Sequence, residues 1–204
     1  MDLDHLSHDA REWFEEGFEH HQAGDLEQAI ECYRQSLEAA PSAEAHTFLG
    51  WAFSHHGDLD TAIEECFKAI DADPAFGNPY NDIGAYYIQL KRYDEAIPWL
   101  ERAMEAERYE SYHFPHLNLG RVYLRKGMFF EAIRAFEKAI EIEPRYEMAR
   151  MELAKLRAMM NCPPKRLPLS GRVGRGQCRG VAHRPGGAPL RVFPLVTPYD
   201  ALIY

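Results

Sequence analysis

YNDIGAYYIQLKRYDEAIPWLERAM, residues 80–104, holds two apolar stripes of helical spacing joined by a short polar turn. Tyr80, Ile83, Gly84 and Tyr87 recur at i, i+3, i+4 and i+7, which is one face of an α-helix. Tyr93, Ala96, Ile97, Leu100, Ala103 and Met104 make the second face. Moving outward, Gly84 has counterparts at Gly17, Gly50 and Gly120, at separations of 33, 34 and 36 residues. Twelve residues after each glycine stands an alanine: Ala29, Ala62, Ala96 and Ala132. Seven further on lie Ser36, Ala69, Ala103 and Ala139, and five beyond those Pro41, Pro74, Arg108 and Pro144. The turns between the paired stripes read AGDL, HGDL, LKRY and KGMF. Small residues at the glycine and alanine positions let two helices approach closely, and proline ends the second helix of a unit. The chain is a repeat of helix–turn–helix units.

This pattern resembles the tetratricopeptide-repeat family over about residues 10–160. The resemblance implies an all-α fold, a right-handed α-solenoid of four tetratricopeptide repeats plus a C-terminal capping helix. The repeats run at about 10–42, 43–76, 77–112 and 113–146, after an N-terminal segment at 1–9. Residues 147–160, EMARMELAKLRAMM, form the cap, with Met148, Met151 and Leu156 among its apolar positions. Departures from the pattern are Glu16 where an apolar residue is usual, Arg108 in place of proline, two extra residues around Glu110–Tyr112, and Pro98 inside a helix, where it is expected to bend the axis.

In this family the first helices of the repeats line a concave surface. Carried over, that places Phe14, Phe18 and His21 of repeat one on a peptide-binding groove with Thr47, Trp51 and His55 of repeat two. Asn78, Asn81 and Gln89 follow from repeat three, and Leu117, Asn118, Arg121 and Arg125 from repeat four. Phe14, Phe18 and Trp51 are expected to offer exposed apolar area, the usual mark of an interaction site, unless they pack on one another. The asparagines and Gln89 suit a peptide backbone, and Arg121 and Arg125 suit an acid. The subfamily that clamps the C-terminal carboxylate of heat-shock chaperones needs Lys and Asn where Phe14 and Phe18 stand. It also needs Lys and Arg where Asn78 and Asp82 stand, so that clamp is not expected.

Composition narrows the classes. The 204 residues carry net charge −9, unevenly spread. Seven Lys/Arg and one acid fall in 161–204, which leaves 16 of the 23 bases and 31 of the 32 acids in 1–160. An acidic body is not built to bind nucleic acid through the repeats. The start lacks the basic and apolar regions of a secretion signal, and no apolar run spans a membrane, so a cytoplasmic location is expected. Four cysteines make no disulfide framework and show no CxxC, and no phosphate loop or nucleophile elbow occurs. No cofactor and no catalytic residue is expected. His20-His21, His55-His56 and His113/His116 are the histidine groupings a metal would use. Residues 161–204 hold seven of the thirteen prolines and six of the fourteen glycines and are expected to be disordered.

The function these features point to is a non-catalytic protein–protein interaction adaptor or scaffold. It would bind a peptide or protein segment with apolar anchors and acidic residues. The alternative is a metal- or small-ligand-responsive regulatory module built on the histidine pairs, and self-association is a third arrangement.

Overall fold

The computed structural model of the chain describes residue 3 and residues 6–161; the expectations for the 161–204 tail lie, beyond Asn161, outside the described residues. Among the described residues there are nine helices and no strand longer than an isolated bridge. They run α1 (His8–Ala23), α2 (Leu26–Ala39), α3 (Ala43–His56), α4 (Leu59–Ala72), α5 (Asn78–Gln89), α6 (Tyr93–Glu105), α7 (His113–Arg125), α8 (Phe129–Ile142) and α9 (Glu147–Asn161). α1, α3, α5 and α7 each pack antiparallel on the even helix that follows, each pair stacks on its neighbour, and α9 packs on α8, building an α-solenoid. None of these helices is long and apolar enough to cross a membrane.

Helix ends follow from local chemistry. Ser7 and Ser42 accept backbone hydrogen bonds at the starts of α1 and α3, and Asp25 and Asp58 do the same for α2 and α4. Gly24, Gly57 and Gly127 close α1, α3 and α7 with φ of 81°, 95° and 74°. In the LKRY turn Lys91 takes that left-handed position at φ 60°, where a side chain is strained. At Gly120 an added Cβ would lie 2.4 Å from the Phe136 ring, so only glycine lets α7 meet α8. Pro98 lies on the exposed side of α6, and the helix runs on through it.

The repeat-three junction shows what the Arg108 departure does. The junction around Arg108 forms an extended strap: Arg108 N–H donates to Ala75 O at 2.9 Å, and Gly77 N–H donates to Arg108 O at 3.0 Å. The Arg108 guanidinium lies over the Phe76 ring and ion-pairs with Asp73 and with Glu44, the latter at 2.7 Å. One side chain thus ties the α3 start, the α4–α5 loop and the junction together.

The last helix closes the array. Ala149, Leu153 and Leu156 of α9 are buried against Phe114, Leu117 and Phe136. Met148 is half-buried on the same cluster, whereas Met151 points outward, 45% exposed.

Candidate functional site

The first helices α1, α3, α5 and α7 approach one another along the array, while the second helices of neighbouring repeats stand further apart. That spacing makes the first-helix face the inner one. Two clusters form on it.

The first cluster is aromatic. The Phe14 ring lies 4.9 Å from Phe48 and 5.6 Å from Tyr33, and Phe18 meets the edge of Phe48 at 5.7 Å. His21 covers Trp51 at 3.9 Å, and its Nε2 is 3.0 Å from Nδ1 of His55, a hydrogen bond joining α1 to α3. Trp51 is 0% and Phe14 4% exposed, and only Phe18 is half-buried. The exposed aromatic patch expected from Phe14, Phe18 and Trp51 is therefore corrected: these rings pack on one another and on Phe48 because the α1–α3 approach brings them into one layer. His21 is buried and His55 exposed. Thr47 is also buried, and its hydroxyl donates to Ala43 O of its own helix at 2.6 Å. It serves α3 and offers nothing outward through that bond.

The second cluster is polar. The Asn118 amide donates to Asn81 Oδ1 at 3.2 Å, joining α7 to α5, and the Asn81 amide donates to Asp82 Oδ1 at 3.3 Å. All three are 0% exposed. Arg121, 8% exposed, brings its guanidinium 2.9 Å from the Met148 sulfur. Leu117 is fully buried in the apolar layer beneath and lines no surface, another correction. Asn78 is half-buried at the start of α5. Gln89 and Arg125 are exposed at the ends of α5 and α7. His55, Gln89 and Arg125 thus form an accessible rim at the C-terminal ends of successive first helices.

Asp82 is a buried acid that sequence reasoning did not place in the site. Its signal was an ionisable residue one position from Asn81 and Ile83, inside a helix with apolar residues on several sides. Of the paired histidines, His20 alone enters a group of three possible metal ligands among the described residues, with Glu16 and Cys32. His113 and His116 are half-buried, and burial pushes both pKa values down from 6.5. Neither enters a group of three ligands among the described residues. Burial likewise pushes the Cys66 thiol well up, which leaves it a small apolar core group.

Two tetratricopeptide-repeat sequence profiles match residues 9–75 and 76–145. The chain belongs to the tetratricopeptide-repeat family. It is 32% identical over 136 residues to the type IV pilus assembly protein PilF of Pseudomonas aeruginosa, a match covering 66% of this chain and 54% of that protein. The chain thus spans about half the length of this relative. The solved structure of Pseudomonas aeruginosa PilF superposes with a TM-score of 0.69 at 29% identity, over 74% of this chain and 68% of that one. MamA superposes at 0.59 with 28% identity, over 71% and 84%. The first tetratricopeptide-repeat domain of Spaghetti (RPAP3), solved with the HSP90 peptide SRMEEVD, superposes at 0.53 with 25% identity, over 58% and 92%. These likenesses place the chain among tetratricopeptide-repeat solenoids, one of which was solved with a bound peptide.

Proposed function

We propose that the chain is a non-catalytic adaptor that holds an extended segment of another protein along the first-helix face. The observation that carries this reading is the pair of side-chain bridges between consecutive first helices, His21 to His55 and Asn118 to Asn81. The bridges themselves are mostly buried, and they hold consecutive first helices in place, so the exposed residues His55, Gln89 and Arg125 are already positioned when a partner arrives and lose less freedom on binding. Likeness to a repeat domain that holds a peptide supports the same reading. The accessible contacts are Phe18, His55, Asn78, Gln89 and Arg125, with Arg121 behind them. The partner carries an apolar anchor toward repeat one and an acidic group toward Arg125. Likeness to a pilus assembly protein makes a subunit of a cell-surface assembly the first partner class to try. The reading includes a cytoplasmic location.

Affinity capture from native extract tests it, comparing the full chain with Phe18→Ala, His55→Ala and Arg125→Glu. Phe18, His55 and Arg125 are not fully buried, so loss of fold does not mask loss of binding. A partner kept by the full chain and lost by Phe18→Ala or Arg125→Glu supports the groove. Identical captured proteins in all four samples sink it.

A further inference from the structure

On the side of α1 turned away from Phe14 and Phe18, three side chains of repeat one converge. Glu16 and His20 stand four residues apart on α1, so they share a face, and Cys32 reaches them from α2. A carboxylate oxygen, a ring nitrogen and the thiol sulfur of these residues all lie within 4.8 Å of one another. His20 Nε2 is 3.9 Å from Glu16 Oε1, and its Nδ1 is 3.7 Å from the Asp25 carboxylate.

We propose that Glu16, His20 and Cys32 form a binding site for a thiol-seeking divalent transition metal, with Zn²⁺ the cation whose donor preferences fit best. One sulfur, one imidazole nitrogen and one carboxylate oxygen are the three donor types zinc takes, and alkaline-earth ions do not take thiolate. At the 4.8 Å limit the centre of the triangle lies about 2.8 Å from each donor, and zinc bonds are about 2.0–2.3 Å, so a rotamer adjustment of exposed Glu16 closes the site. The Asp25 carboxylate stands 3.7 Å from the far nitrogen of His20, beyond hydrogen-bond range but close enough for a small rotamer shift to make that bond and aim the other nitrogen at a metal.

Glu16 takes a place that is open in the first described repeat, since among the described residues no helix packs before α1, so its carboxylate is free to turn toward Cys32. The equivalent places in the other repeats hold Leu49, Ile83 and Leu119, all buried. Burial first, and then the charges of Glu16, Glu31 and Asp25, keep the Cys32 thiol protonated without a metal, while those same carboxylates attract a cation that can take the proton's place. On binding, Cys32 exchanges its proton for the metal and the proton passes to solvent. Three protein donors leave a fourth position on the open side, for water or for a ligand from a partner. The bound metal ties α1 to α2 and stiffens the first repeat. The second group of possible ligands, His8, Asp9 and Glu12, is fully exposed and has no such support.

The full chain, kept reduced with a phosphine, is titrated with Co²⁺ and then Zn²⁺. The expected result is one equivalent of cobalt with a near-ultraviolet thiolate charge-transfer band, displaced by zinc. Cys32→Ser abolishes the band and Cys66→Ser leaves it intact. Glu16→Gln and His20→Gln weaken binding, and Asp25→Asn, which keeps the helix cap, weakens it by about tenfold or more. Absence of the band in the full chain at millimolar cobalt overturns the proposal. A band that persists in Cys32→Ser also overturns it, because the thiolate is then another cysteine. Should Cys32→Ser fail to fold by circular dichroism, His20→Gln on the surface decides: unchanged cobalt affinity overturns the site.

Discussion

Tyr33 shows how a single residue reads differently from its stripe and from its surroundings. It occupies a core position of α2 and is 0% exposed, and burial pushes its phenol far above the ordinary range. Its hydroxyl has no hydrogen-bond partner among the described residues. Tyr33→Phe keeps the ring against Phe14 and Phe48 and removes the stranded hydroxyl. Stability is expected to hold or to rise by up to about 1 kcal/mol, read from the urea midpoint. Trp51→Ala does the opposite. It empties a buried site beside His21 and Phe48 and is expected to cost about 3–5 kcal/mol without any partner present. A loss of binding in that variant would report folding, which is why Phe18 and Arg125 make the better probes. The sequence placed Phe14, Phe18 and Trp51 on one face. It could not rank their exposure, because that ranking depends on how closely α3 lies on α1.

Among the elements, the turns were the most legible. Glycine in AGDL, HGDL and KGMF marked three left-handed closures, and the fourth falls on Lys91. Lys91→Gly is expected to stabilise the α5–α6 hairpin by up to about 1 kcal/mol, part of the gain being offset by the freer unfolded chain. A thermal melt against the parent checks it. On α7, His113 and His116 are held neutral by burial, with only Glu143, Glu141 and Lys138 contributing opposing or reinforcing charge. Their folded pKa values lie below 6.5, so the unfolded chain binds protons first as pH falls. Stability is full above about pH 6.5 and declines as pH drops through the lowered folded values. A His113→Gln, His116→Gln double variant is expected to flatten that decline in urea melts at stepped pH. The Arg108 strap was not legible. The missing proline announced a departure, but the backbone pairing with Ala75 and Gly77 and the reach to Glu44 depend on residues up to 64 positions away.

For the whole molecule, each unit buries its apolar face only against the next, so the end must be covered. Among the described residues α9 does this with Ala149, Leu153 and Leu156. A chain ended at residue 146 is expected to lose about 3–6 kcal/mol relative to one ended at residue 161, the worth of two buried leucines. Calorimetry gives the size of the loss, and light scattering registers the apolar face it uncovers. Binding along the array belongs to this scale too, since the rim of His55, Gln89 and Arg125 is drawn from three different repeats.

The sequence by itself determined the repeat period, the helix pairs, their turns and the family. Those features rest on the 3.6-residue geometry of a helix, which is local and shows directly in the spacing of Gly, Ala and Pro. Only the tertiary structure decided which side chains of the first-helix face are sealed and which are open. The Asn81–Asn118 and His21–His55 bridges, the Arg108 strap and the meeting of Glu16, His20 and Cys32 belong to that second level. They depend on the rotation and offset of one helix against the next, which the volumes of all the packed side chains set jointly and no single period encodes.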